Sequence, residues 1–193
     1  AATTAVLRST PDAGVAIFYQ TDIKVEGCWI DKAFLCQCAA QEEGSALLWH
    51  KIACRKPPGT VSFGRPGYTH MLCFSRGVRD DLRRSTTDVL PGTGHMTWSR
   101  AMGTAACDLA CRYVLQQTST RTLVDPFCGR GTVLAVANGH GLDAIGVERS
   151  HRRVKHARKL NAADLPGPAA DDDPGAGQAA PPAAPDTASL DET

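Results

Sequence analysis

The sequence predicts an α/β fold with a parallel sheet, because strand-like and helix-like segments alternate along its second half. A strand over 122–125, a glycine-rich turn, a helix over 131–139, a strand over 142–148 and a basic helix beginning at Ser150 follow one another. Parallel strands require helical crossovers of this kind. In the first half, short apolar runs typical of buried strands are separated by turns that contain Pro or Gly.

The first half is predicted to supply three strands and one helix. The strands cover residues 14–20, 45–53 and 69–75. Residues 29–41 are predicted to form the helix, because Ile30, Phe34 and Cys38 recur on one stripe of it. The segment 76–97 is predicted to be irregular.

A further helix is predicted between the two halves, with Ser99 as its N-cap and Gln116 near its end. Its apolar positions recur at helical spacing and comprise Met102, Ala106, Leu109, Ala110 and Tyr113.

Opposite charges are segregated along the chain, although the 21 Lys and Arg nearly balance the 20 Asp and Glu. Residues 162–193 contain seven acidic residues, no Lys or Arg, and many Ala, Pro and Gly, so they are predicted to be a disordered tail. Residues 1–161 form the predicted folded domain, in which 21 basic residues exceed 13 acidic ones. That excess suits a nucleic-acid partner, and it is equally typical of a solvated enzyme surface.

Composition also argues against several classes of protein. No run of about 18 uncharged apolar residues occurs, so no membrane span is predicted. The eight cysteines lack the repeated C-x2-C pairs of a zinc site and lie mostly in apolar runs. They are predicted to be buried thiols of an intracellular protein, without a metal site. His50, His70 and His95 show no ligand spacing and are predicted to have solvated or capping roles.

The segment LVDPFCGRGT, residues 123–132, carries the clearest chemical signal. A strand ends at Asp125, and Gly129 and Gly131 then allow the backbone to approach a ligand closely. Glu148 ends the next predicted strand, where an acid can accept hydrogen bonds from the two hydroxyls of a ribose. We therefore expect a pocket for a nucleoside-containing cofactor at the carboxyl ends of two adjacent parallel strands.

Two common nucleotide motifs do not fit this segment. The P-loop pattern G-x4-G-K-[ST] is absent from the sequence. The dinucleotide pattern G-x-G-x-x-G fails because Leu134 stands where the third small residue belongs. An NAD-dependent oxidoreductase is therefore kept only as a lesser alternative.

The run Asp125–Thr132 resembles the cofactor motif of S-adenosylmethionine-dependent methyltransferases, in the D-P-F-x-G-x-G-T form of DNA amino-methyltransferases and related RNA enzymes. Glu148 is similar to the ribose-binding acid of that family. The resemblance implies a Rossmann-like sheet, S-adenosyl-L-methionine as cofactor, and DNA or RNA as partner. The cofactor-binding residues that it implies are Asp125, Pro126, Phe127, Cys128, Gly129, Gly131, Thr132, Glu148 and Met102.

The resemblance extends upstream of this motif. Trp49-His-Lys51 and the segment 64–77 are similar to the late-strand hairpin of those enzymes, and residues 97–103 to the segment that precedes their cofactor strand. The hairpin comes before the cofactor motif, as in circularly permuted members of the family. This order implies that 14–77 holds the late strands and 99–161 the cofactor-binding half.

The catalytic [DNS]-P-P-[YFW] motif of those relatives has no counterpart at the expected place. Only 13 residues precede Gly14, too few for a further strand, a motif loop and a crossover helix. We therefore expect an incomplete sheet, a chain truncated at its N-terminus and no assignable catalytic residue. The alternative is a fragment that binds the cofactor or nucleic acid without performing chemistry.

Overall fold

The computed structural model describes residues 2–80 and 86–166 of the 193-residue chain. The helices are α1 Ala2–Ser9, α2 Lys32–Glu42, α3 Thr104–Gln117, α4 Thr132–Gly139 and α5 His151–Ala157. The strands are β1 Ala16–Gln20, β2 Ile23–Val25, β3 Cys28–Ile30, β4 Ala46–Cys54, β5 Tyr68–Ser75, β6 Val89–Leu90, β7 Thr122–Asp125 and β8 Asp143–Gly146. A short 3-10 turn covers Ala162–Asp164.

The strands form three separate sheets within the described residues. The largest has the order β1-β5-β4-β6, in which β5 is antiparallel to both of its neighbours and β6 is parallel to β4. The strands β7 and β8 make a parallel pair of their own, and β2 and β3 make a small hairpin. Since β1 and β7 each have one strand partner in the described chain, the arrangement agrees with an incomplete sheet. That the absent strand carries the catalytic motif stays a prediction.

The core is organised around β5, which is buried on both faces because successive side chains of a strand point to opposite sides. Leu72 and Phe74 pack with residues of α1 and α2. Met71 and Cys73 pack on the other face with residues of α3. The four-stranded sheet therefore lies between two layers of helices.

Helix α3 also contacts the smaller parallel sheet. Its Ala106, Leu109 and Tyr113 belong to the cluster under β4 and β5. Its Cys111 packs instead with Ala137 of α4 and with Leu142, just before β8. One helix thus places the β7–β8 pair against the main core.

Most predicted elements of the second half are confirmed. Strand β7 has its predicted bounds, α4 begins one residue later than predicted, and β8 lies within the predicted strand. Ser150 is the N-cap of α5, as predicted, although that helix ends at Ala157. The strands predicted over 14–20, 45–53 and 69–75 are also present as β1, β4 and β5.

The predicted start of α3 at Ser99 is wrong, because the cap is Gly103. The first free amides of this helix find partners in the preceding loop: Thr104 N donates to the His95 carbonyl at 3.0 Å, and Ala105 N donates to the Thr93 carbonyl at 3.1 Å. A side chain at position 103 would collide with the Thr93 backbone. These contacts fix the preceding loop to the start of the helix, and Met102 lies before the Gly103 cap.

The helix predicted from residue 29 begins only at Lys32, since residues 28–30 pair with β2. The hairpin turn uses Glu26 and Gly27, both with positive φ (51° and 80°). Helix α1 and strand β6 were not predicted from the sequence.

The predicted tail is partly corrected. The 3-10 turn over Ala162–Asp164 contacts α4, so ordered structure continues past residue 161. Residues 167–193, the rest of the predicted tail, lie outside the described chain. Across 2–80 and 86–166, no helix combines the length and the apolar character that a membrane crossing requires.

Amide hydrogens of β7 and β8 are expected to exchange with solvent faster than those of β5. The paired residues Val124 and Ile145 are 59% and 54% exposed, whereas β5 is hydrogen-bonded on both edges and covered on both faces. Hydrogen exchange followed by mass spectrometry measures this difference. Strand β1 is the internal control, since it has one strand partner but a buried Phe18. Equal protection of β5 and β7 would contradict a core organised around β5.

Candidate cofactor site

The turn that follows β7 is fastened to the end of β8 by backbone hydrogen bonds. Asp125 is in register with Gly146. Val147 N then donates to the Asp125 carbonyl at 2.9 Å, and Cys128 N donates to the Val147 carbonyl at 3.0 Å. The carboxyl ends of two adjacent parallel strands are thereby held together, as the sequence predicted.

The two glycines of the turn adopt conformations that other residues resist. Gly129 has φ of 57° and Gly131 has φ of 87°, both in the left-handed region. A Cβ at position 131 would lie 2.9 Å from the Ala157 Cβ, and one at position 129 would lie 3.0 Å from Trp98 Cζ2. Glycine is therefore required at 131 both by backbone conformation and by the close approach of α5.

Asp125 is a partly buried acid at the start of the turn. Its Oδ1 accepts a hydrogen bond from Phe127 N at 2.9 Å, which shapes the first two residues after the strand. Burial raises the pKa of Asp125 above its usual range, and the Phe127 hydrogen bond only partly opposes that shift.

Glu148 is held at the beginning of α5. Its Oε1 accepts from Ser150 N at 2.7 Å, and its Oε2 lies 3.6 Å from an Arg153 guanidinium nitrogen. The hydrogen bond from the Ser150 backbone, helped by the charge of Arg153, lowers the pKa of Glu148. This carboxylate is ionised at neutral pH, and its remaining lone pairs can accept further hydrogen bonds.

The pKa of Cys128 is affected by both acids, Asp125 and Glu148. Burial raises the pKa of its thiol, and the charges of Asp125 and Glu148 raise it further. Its side chain fills the space that a Cβ on Gly146 would need, since that Cβ would lie 2.7 Å from the Cys128 sulfur. Cys128 is therefore a neutral packing residue, and the arrangement does not activate it as a nucleophile.

Trp98 closes one side of the turn. The Arg130 and Arg153 guanidinium groups lie 5.4 Å and 5.1 Å from the centre of its indole, within the range of cation–π contacts. A cavity of about 270 Å³ opens beside it, lined by Trp98, Arg130, Ser150, Arg152, Arg153 and His156. Three of these side chains are arginines, so the cavity favours an anionic group. Neither Asp125 nor Glu148 lines it.

The structure gathers most of the predicted site residues at this turn. Thr132 is buried, and its hydroxyl lies 2.5 Å from that of Thr97, which ties the preceding segment to α4. Pro126 is partly buried and Phe127 is 70% exposed. Met102 instead packs against the cluster under β4 and β5. A contact between Met102 and a cofactor therefore stays a prediction.

Arg130, Arg153 and Ser150 were not singled out as site residues from the sequence. The basic composition of the segment after Ser150 was visible, but its periodicity did not show which side chains face Trp98. Arg130 Nε is buried without a hydrogen-bond partner in the described residues, and only the folded arrangement reveals this.

Comparisons with known proteins identify the fold. No protein-family model matches the chain, and no curated protein sequence matches it. A Thermus thermophilus protein described as a putative DNA modification methylase, solved with S-adenosyl-L-methionine, superposes with a TM-score of 0.63 at 17% identity, over 86% of this chain and 75% of that one. M1.HpyAVI in complex with S-adenosylmethionine matches with a TM-score of 0.57 at 11% identity, over 81% of this chain and 78% of that one.

The PvuII DNA methyltransferase, described as cytosine-N4-specific, matches with a TM-score of 0.60 at 12% identity, over 76% of this chain and 63% of that one. At these identities the similarity shows a shared fold. The resemblance read from the motif is thereby confirmed at the level of the fold.

Replacing Gly131 with Ala is expected to destabilise the chain more than replacing Gly59 with Ala. The two glycines have nearly the same φ, 87° and 84°, so the backbone strain of about 1–2 kcal/mol is common to both. Gly131 faces Ala157, whereas no atom of the described residues lies within 4 Å of a Cβ at Gly59. Urea unfolding followed by circular dichroism compares the two variants. Equal losses of unfolding free energy in the two variants would show that the contact with α5 does not constrain Gly131.

Proposed function

We propose that this chain binds S-adenosyl-L-methionine at the turn between β7 and α4 and transfers its methyl group to an amino nitrogen of a nucleic-acid base. The observation that carries the proposal is the placement of Asp125, the Gly129–Gly131 turn and Glu148 at the paired ends of β7 and β8. Two structures of the same fold, the Thermus thermophilus protein and M1.HpyAVI, were solved with this cofactor bound.

Glu148 is proposed to hold the ribose. Its carboxylate is fixed by Ser150 N and remains ionised, so it can accept hydrogen bonds from both ribose hydroxyls without losing that contact. Charge-assisted hydrogen bonds of this kind are stronger than neutral ones.

The glycine turn and its surroundings are proposed to hold the methionine part of the cofactor. Gly129 and Gly131 leave the backbone accessible, and the nearby cavity presents Arg130 and Arg153. An arginine fork suits a carboxylate, which the methionine part carries. Arg130 Nε, which has no hydrogen-bond partner among the described residues, offers a donor for it.

When bound, the cofactor supplies an activated methyl group on a sulfonium, which needs no metal ion. The task left to the protein is to place an amine in line with the methyl carbon and to accept the proton that the amine loses. No described residue is assigned to that proton, because the motif that orients the amine in related enzymes has no counterpart in the sequence.

A nucleic-acid acceptor is supported by charge and by the stated specificity of a structural neighbour. Residues 1–161 contain all of the Lys and Arg of the chain. The PvuII enzyme acts on DNA at cytosine N4, an exocyclic amine. These two observations favour a base over a protein or a small molecule as methyl acceptor.

Replacing Glu148 with Gln is expected to weaken the binding of S-adenosylhomocysteine by about tenfold or more, since the charge that strengthens the ribose hydrogen bonds is lost. The amide oxygen can still accept from Ser150 N, so α5 keeps its start. Isothermal titration calorimetry measures the change. Asp143→Asn is the matched control, because Asp143 is an exposed acid on the same β8 strand. Binding of NAD in place of S-adenosylhomocysteine, or an equal loss in both variants, would contradict the proposal.

Incubation with methyl-labelled S-adenosylmethionine and either DNA or RNA is expected to place the label on an exocyclic amine. Digestion to nucleosides and mass spectrometry identify the methylated atom. Comparison of the incubation with DNA and the incubation with RNA shows which nucleic acid is the acceptor. Label on a ring carbon, or no transfer by a chain that binds S-adenosylhomocysteine, would overturn the assignment of the reaction while leaving the cofactor site intact.

A further inference from the structure

The hairpin loop over residues 55–67, between β4 and β5, exposes two large apolar side chains. Phe63 is 94% exposed, more than any other large apolar side chain of the described residues, and Val61 is 75% exposed. A phenyl ring kept in water gives up the stabilisation that its burial would supply, and a binding partner can restore it.

Hydrogen bonds close the base of this loop and fix the way it presents Phe63. Arg55 N and Lys56 N both donate to the Gly67 carbonyl, at 2.7 Å and 3.0 Å. Ser62 turns inward, since its Oγ is buried and would lie 3.8 Å from a Cβ at position 67. Phe63 therefore projects outward from a loop whose ends are tied together.

The charge around Phe63 has one sign. Residues 44–79 contain six Lys and Arg and no Asp or Glu. Three of these cations lie in the loop, are exposed and form no ion pair with an acid of the described chain, namely Arg55, Lys56 and Arg65. The surface around the ring thus favours a partner that carries negative charge.

The loop leaves the sheet at the end from which the chain runs to the cofactor turn. Strands β4 and β6 are parallel, with Ala53 in register with Leu90, so the chain leaves both strands at the same end. Eight residues after Leu90 the chain reaches Trp98, which lies against the turn at Gly129. The exposed ring and its cations belong to the same end of the sheet as the segment that contacts that turn.

We propose that the loop over 55–67 binds a single-stranded segment of nucleic acid, with Phe63 stacked on an unpaired base and the three loop cations on the phosphates. Each nucleotide carries a planar base and a negative phosphate, so one strand matches both the ring and the cations. An acidic protein surface would match the cations alone. This inference rests on the nucleic-acid acceptor of the proposed function and adds a contact surface distinct from the residues that hold the cofactor.

Fluorescence anisotropy of labelled single strands of DNA and of RNA, titrated with the full chain in the absence of cofactor, tests the surface. Replacing Phe63 with Ala is expected to weaken binding at least about fivefold, because one base loses its stacking partner. Phe34→Ala is the matched control, since Phe34 is 60% exposed on α2, and its affinity is expected to be unchanged. Phe63→Trp is expected to keep the affinity, with tryptophan emission that falls on binding because base stacking quenches the indole.

The salt dependence of the same titration tests the cations. Arg65→Gln is expected to reduce the slope of log affinity against log salt concentration by about 0.7, because one phosphate contact of a single strand is lost. Arg121→Gln is the control and is expected to leave the slope unchanged. Arg121 is also exposed, but it lies just before β7, at the opposite end of that strand from the glycine turn.

The outcomes separate this inference from the proposed function. Equal affinity of Phe63→Ala and the unmodified chain would overturn the loop as a binding surface and leave the proposed function standing. Binding to anionic phospholipid vesicles that depends on Phe63, without binding to either nucleic acid, would assign the loop to a membrane surface and overturn the inference. Nucleic-acid binding that depends on Phe63, in a chain that transfers no methyl group, would support the loop and contradict the proposed reaction.

Discussion

The hydrogen bonds that join the end of β7 to the end of β8 are the constraint on which the candidate site depends. Val147 N donates to the Asp125 carbonyl, and Cys128 N donates to the Val147 carbonyl. These two hydrogen bonds keep the strand ends in contact beyond the last paired residues of the ladder. The chain can then enter α4 only through a tight turn, and the turn requires positive φ at Gly129 and Gly131. The position of both acids follows from this one local arrangement.

Helix α3 packs against the elements that carry this arrangement. One of its faces packs with β4 and β5, and Cys111 packs with α4 and the start of β8. The loop before α3 contributes as well, since Thr97 contacts Thr132 and Trp98 contacts the glycine turn. The paired strands are thus held mainly through helices and loops, because they share no ladder with the larger sheet in the described chain. The exposed Val124 and Ile145 mark the face of the parallel pair that no described element covers.

The sequence was sufficient for features set by local chemistry. Strand β7, the glycine turn and the Ser150 cap each depend on residues within about one helical turn of one another, and each was predicted correctly. The start of α3 was not, because Ser99 has a good capping side chain while Gly103 is selected by contacts with Thr93 and His95. The hairpin before α2 was missed because its two strands are short. The residues around Trp98 were missed because only the tertiary structure brings them together.

The contact between His50 and His70 shows the same limit. His50 and His70 are twenty residues apart on different strands and have no ligand spacing, yet the antiparallel register brings their ring nitrogens to 2.9 Å. Asp22 joins them because it follows β1, which pairs with β5, and its carboxylate lies 2.9 Å from His70 Nε2. Sheet register decides such contacts, and no single segment of the sequence specifies that register.

Titration of the isotope-labelled chain with S-adenosylhomocysteine, followed by two-dimensional amide NMR, tests the cofactor site most directly. We predict that the largest shifts fall on the amides of residues 128–132 and 147–150, with those of β5 unchanged. Shifts confined to other parts of the chain, or none at a saturating concentration of the ligand, would contradict a cofactor site at this turn.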